Sequence, residues 1–261
     1  MHNCASMRAL LLGLFPFSGL LSIVHAALIG VPNHSFESPV TSLASPSLEA
    51  WQKAPQPSWY DDQGGFFPWD QLMGEFLNTP ESRPDHIDNA EGQQAAYLFA
   101  LPRVALWQDY DATPAHDFNA RFEVGRSYTL TVGLLGGGGG MSNGATFQIS
   151  LYYRDAASNM VTVAATTITN SKSLFSTNTH LTDFQVLVPT VKPNDAWAGK
   201  NLGIQLSSTV GFDLAGGILG PGQRAFAGCA RSYPDRTHAR QWPVHADVGK
   251  RSGTIRDPGR H

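Results

Sequence analysis

The chain has 261 residues, with 18 Lys and Arg against 21 Asp and Glu, a formal net charge of -3 and a pI near 6.3. Only 15% of its residues are charged, so it lacks the basic footprint by which proteins hold a nucleic-acid backbone. A hydrophobic content of 42% can fill the core of one large domain, and 26 Gly and 17 Pro favour strands and turns over helices.

The first segment reads as an export signal. Arg8 precedes an apolar stretch from Ala9 to Val24, and Val24-His25-Ala26 supplies the small residue before a cleavage point. Residues 1–26 are therefore expected to be a signal peptide, and the mature chain to begin near Ala27. Pro16 and Gly19 interrupt a run already short of the about 20 apolar residues that span a bilayer. The expectation is an exported protein, extracellular or at the cell surface, with no membrane span in the mature chain. Both cysteines, Cys4 and Cys229, lie outside the body from Ala27 to Gly217, which must then fold without a disulfide.

Aromatic residues gather between Trp51 and Trp69: Trp51, Trp59, Tyr60, Phe66, Phe67 and Trp69. From Tyr60 to Glu91 eight acids (Asp61, Asp62, Asp70, Glu75, Glu81, Asp85, Asp88, Glu91) meet one base, Arg83. Aromatic faces stack on the C–H groups of sugar rings, and acids accept hydrogen bonds from their hydroxyls. The region reads as an acidic, aromatic loop with Trp59, Tyr60 and Trp69 as its ligand candidates, the other aromatics capping the core.

Strands follow. Ala95 to Leu101, Val104 to Tyr110 and Phe118 to Val124 are short candidates. Tyr128, Leu130, Val132 and Leu134 share one face of a strand. Phe147, Ile149, Leu151 and Tyr153 alternate with polar neighbours and lead through Arg154 to Asn159 into Met160 to Ile168, a hairpin. Phe184, Val186 and Val188 alternate, as do Leu202, Ile204 and Leu206. No segment of helical length carries an apolar stripe, so the body from 27 to 217 is expected to be all-β, an antiparallel jelly-roll β-sandwich. Gly136 to Gly140 lacks the Gly-Lys-Ser/Thr of a phosphate loop, and no Gly-x-Ser-x-Gly elbow occurs. His34, His86, His116 and His180 have no metal-ligand spacing.

The tail, 218–261, differs in kind. It holds 8 of the 18 Lys and Arg against three acids, and no period of 2 or 3.6 runs through it. It is expected to be disordered and outside the core.

Val31-Pro32-Asn33-His34-Ser35-Phe36-Glu37-Ser38-Pro39, the later Trp51, Ala90-Glu91-Gly92 with Ala96-Tyr97-Leu98, and Phe122 to Val132 together resemble galactose-binding-like jelly rolls. That group includes carbohydrate-binding modules and exported bacterial proteins of the PEP-CTERM type. The resemblance implies a structural calcium site at Asn33 and Glu37, completed by an Asp of the last strand; an ordinary surface Glu at a strand start is the other reading. It also implies a closing strand with Asp-Asn-Val-Arg-Leu, which is missing. Codons permitted for Ile218 to Phe226, shifted by one nucleotide, read Phe-Trp-Asp-Leu-Asp-Asn-Val-Arg, so the tail is expected to be a frameshift product, a natural extension being the other reading.

Two functions fit. The first is a secreted or cell-surface, non-catalytic module that binds carbohydrate or extracellular polysaccharide. The alternative is a small-molecule enzyme, cyclase-like or glycosidase-like, on the same scaffold, as the resemblance allows. An acid enclosed among aromatics with a raised pKa would mark the enzyme, and an open aromatic platform the module.

Overall fold

The computed structural model describes residues 27–63, 67–113, 117–136, 141–177 and 179–215, and the backbone of 227–233. In it the alternating stretches of the sequence are strands. The elements are β1 (Ala44–Ser45), β2 (Gln52–Lys53), β3 (Met73–Leu77), β4 (Gln94–Leu98), β5 (Ala105–Gln108), β6 (Tyr128–Leu135), β7 (Thr146–Arg154), β8 (Met160–Thr169), β9 (Thr182–Val188), β10 (Gly203–Ser208) and β11 (Ala227–Tyr233). A 3-10 turn at Trp69–Leu72 is the helical element among the described residues, none of whose helices is long and apolar enough to cross a membrane.

The strands form three hydrogen-bonded sheets, β1-β3-β4, β2-β5-β10-β7-β8 and β11-β6-β9, and every pairing is antiparallel. The fold is the expected antiparallel jelly-roll β-sandwich. Its core is built from alternate residues: Leu130, Val132 and Leu134 of β6, Phe147, Ile149 and Leu151 of β7, and Ile204 and Leu206 of β10 are all fully buried. Each such side chain contributes about 1.5–3 kcal/mol relative to an exposed one. Phe36 and Trp51 stack at 5.2 Å and join this core to the N-terminal segment.

The β7–β8 hairpin closes where expected, because Asp155 Oδ1 accepts the backbone N–H groups of Ala157 (2.9 Å) and Asn159 (2.8 Å). Phe118 to Val124, expected as a strand, is instead an arch with one isolated bridge, Arg121 to Asn201. Tyr128 Oη donates to Arg121 O (2.7 Å) and accepts from Glu123 N (2.6 Å), which takes up backbone groups that a ladder would have used. At the other end β11 pairs with β6 from Ala227↔Leu135 to Tyr233↔Thr129. The remainder of the tail, expected to be disordered and a frameshift product, and residues 1–26, expected to be a signal peptide, lie outside the described residues.

Candidate active site

β3 lies between β1 and β4 and reads Met-Gly-Glu-Phe-Leu. Met73 to Phe76 are buried on both faces of the strand, so its one acid has no route to solvent. Glu75 is 0% exposed, and neither carboxyl oxygen has a hydrogen-bond partner. Burial first, then the nearby Glu49 and Glu37, push its carboxyl up to about 8. A carboxylic acid in such surroundings keeps its proton at neutral pH.

Gly74 shapes the neighbouring wall. It pairs with Tyr97 of β4, and a Cβ there would lie 2.7 Å from Tyr97 Oη and collide with the Ser45 carbonyl, so only glycine lets β1 and the phenol close over the strand. Tyr97 Oη donates to Gln71 O (3.2 Å). Burial, then Asp70 and Glu75, push this phenol up to about 12, which places Glu75 within its electrostatic reach.

The 3-10 turn is fixed at its start, where Asp62 Oδ1 accepts the Trp69 N–H (2.8 Å), and by Trp69 Nε1 donating to Ala54 O (2.6 Å). Trp69 is thereby turned inward and is 4% exposed. Lys53 Nζ donates to Asp70 O. Burial lowers its ammonium to about 8 against the opposing effect of the Asp70 charge.

An aromatic belt runs from this turn to the surface. Tyr60 and Trp69 meet at 5.1 Å and 65°, Trp59 and Trp69 at 6.0 Å and 88°, and Trp59 and Phe212 at 4.9 Å and 82°. Tyr60 Oη donates to Phe67 O (2.7 Å), and Phe67 continues through Phe99 to Tyr97 at centroid separations of 5.7 and 6.2 Å. Trp59, Phe67 and Phe212 are exposed, while Trp69, Tyr97 and Phe99 are buried. The belt therefore leads from solvent to the phenol beside β3.

The structure thus brings Trp59, Tyr60 and Trp69 together, as their spacing suggested, but packs them edge to face rather than as a flat surface. Burial, then Asp62, raises the Tyr60 phenol. Phe66 lies outside the described residues. Asn33 and Glu37 are both engaged. Asn33 Nδ2 donates to Ser38 O (2.6 Å) and Glu49 O (3.0 Å), and Glu37 Oε1 accepts from Gln93 N and Gln94 N (both 2.8 Å). Among the described residues no three His, Cys, Asp or Glu are grouped so as to hold a metal ion, and these two do not by themselves supply calcium's six to eight oxygens. Glu75 was hidden in the sequence as one of eight loop acids. The available signal was a single acid inside an apolar run.

The family model of the HpiC1 cyclases matches residues 27–216. No curated protein matches the chain. Among solved structures, the Stig cyclase FisC from Fischerella sp. TAU, in complex with (3Z)-3-(1-methyl-2-pyrrolidinylidene)-3H-indole, is 18% identical, with a TM-score of 0.53 over 82% of this chain and 100% of that one. A cyclase from the same organism, in complex with 4-(1H-indol-3-yl)butan-2-one, gives the same identity, coverage and TM-score. At this identity the likeness is one of fold.

The family match corrects the sequence reading in three respects. The family is that of the HpiC1 cyclases and not the galactose-binding-like, PEP-CTERM-type group. The non-catalytic module gives way to the small-molecule enzyme that stood as its alternative. The carbohydrate or polysaccharide partner goes with it, and the geometry agrees, since rings crossed at 65–88° offer a sugar no open platform.

Proposed function

The chain belongs to the HpiC1-like cyclase family, and we propose that it closes a ring in a small, apolar, aromatic substrate of the indole type, with Glu75 as the proton donor. One observation carries this reading: a fully enclosed, unpartnered carboxyl, pushed up to about 8, on a strand paired with the one that carries Tyr97, the inner end of an aromatic belt that reaches the surface. Ring closure without a change of oxidation state needs one proton delivered and one removed. Neutral Glu75 protonates a carbon–carbon double bond of the substrate, an electron pair of the aromatic ring attacks the resulting cation, and the carboxylate takes back the proton lost from the ring. The cation forms next to Tyr97 and the inner rings of the belt, whose faces stabilise positive charge. Indole-bearing ligands of the Stig cyclases support the aromatic substrate class. Glu75 is sealed in the described state, so the cycle includes an opening step at the belt.

The test uses 4-(1H-indol-3-yl)butan-2-one as binding probe and a panel of alkenyl indoles as substrates. Glu75→Gln is expected to bind the probe as the parent does and to lose turnover by at least a hundredfold, in line with the usual contribution of a positioned acid. Undiminished turnover in that variant would overturn the assignment.

A further inference from the structure

The five-stranded sheet carries a second constellation that the cyclase reading does not use. Gly203 of β10 pairs with Tyr152 of β7, and a Cβ on Gly203 would run into the tyrosine ring. The missing side chain lets the ring lie over β10 and send its Oη to Asp109 Oδ2 at 2.8 Å. The same oxygen accepts Arg154 Nε at 2.6 Å, and the guanidinium stands 5.9 Å from the Tyr152 ring centroid. Arg154 Nη1 also donates to Ser158 O (2.9 Å). Asp109 is 3% exposed, whereas a third of the Arg154 side chain is open, 33%. A guanidinium has five N–H donors, and two are used, so this one is held rigidly with donors to spare.

What it faces is a pocket of about 360 Å³. Arg121 enters from the arch before β6, its Nη1 on Gly199 O (3.2 Å), and Lys200 enters from the turn before β10. Neither forms an ion pair among the described residues. If Asp109 and Arg154 only satisfied each other, no further cations would be needed. Instead three cations from three separate segments line one pocket whose lining holds a single carboxylate, Asp109, which leaves two net positive charges in a body whose other charges are mostly acidic.

We infer that this pocket binds the phosphate group of a small phosphorylated molecule. Two net positive charges match a dianion, and donors arriving from three directions suit a tetrahedral group of oxygens better than a planar carboxylate. The site lies on a different sheet from Glu75 and is independent of the cyclase reading.

The experiment is a titration of the full chain with inorganic phosphate at constant ionic strength, followed by calorimetry and by the shift in melting temperature, with acetate in a parallel arm. Saturable binding to one site is expected. Arg121→Gln and Lys200→Gln, both at exposed side chains, should each weaken it about tenfold while leaving the phosphate-free melting temperature unchanged. Non-saturable binding, or an affinity untouched in both variants, would overturn the site. Acetate binding as tightly as phosphate would overturn the choice of phosphate.

Discussion

Glu75 and Asp109 are both buried carboxyl groups on strands or strand ends of the same sandwich, yet the chain treats them in opposite ways. Asp109 receives a phenol and a guanidinium on one oxygen. Glu75 receives no hydrogen bond and has two further acids in its electrostatic surroundings. A buried charge is tolerated when paired and otherwise neutralises itself by taking up a proton. Equal burial therefore produces an anchor that orients Arg154 and Tyr152 in one place and a poised acid in the other, and the partners make the difference.

The paired carboxyl should be the costlier one to remove. Asp109→Ala removes the acceptor shared by Arg154 Nε and Tyr152 Oη and is expected to lower stability by about 4 kcal/mol in urea melts. A loss below about 1 kcal/mol would show that the pair does not hold this end of the sheet.

Glu75 should respond with the opposite sign. Between about 4.5 and 8 the folded protein keeps a proton on Glu75 that the unfolded chain releases, so stability falls as pH rises through that window. Glu75→Gln is expected to gain about 3 kcal/mol over the parent at pH 8.5, to lie within about 1 kcal/mol of it at pH 5, and to lose the slope between. Parallel stability curves for parent and variant would remove the distinction between the two acids.

Smaller effects sharpen it. Gly203→Ala pushes the Tyr152 ring off β10 and away from Asp109, at about 2 kcal/mol, visible as a lower melting temperature and weaker phosphate binding. Lys53, with its folded value lowered to about 8, should let stability rise with pH between about 8 and 10.5. Its partial exposure limits the gain to about 0.5 kcal/mol, and Lys53→Met should abolish that rise.

The regular half of the molecule was legible because one face of each strand is apolar and the other is not. β6, β7, β9 and β10 alternate along their length, and Asp155 marks the β7–β8 turn. β3 escaped notice because Met73 to Phe76 are covered on both faces, which erases the period-2 signal. The arch from Phe118 to Val124 misled because its alternation is apolar enough for a strand, while Tyr128 Oη ties its backbone in another way. At the candidate site, the proximity of Trp59, Tyr60 and Trp69 in sequence carried over into space. Their crossed packing could not be foreseen, since it depends on Asp62 and Ala54 anchoring Trp69 and on Phe212 arriving from the far end of the chain. Tyr97 comes within electrostatic reach of Glu75 because the register of β3 with β4 sets it opposite the neighbouring Gly74.

The central claim is that Glu75 holds its proton at neutral pH. Selective 13C labelling of glutamate, with the side-chain carboxyl signal assigned through its loss in Glu75→Gln, reads this directly. A midpoint between about 7 and 9 is the predicted result. Titration of Glu75 near the ordinary glutamate value, about 4.5, would contradict the account.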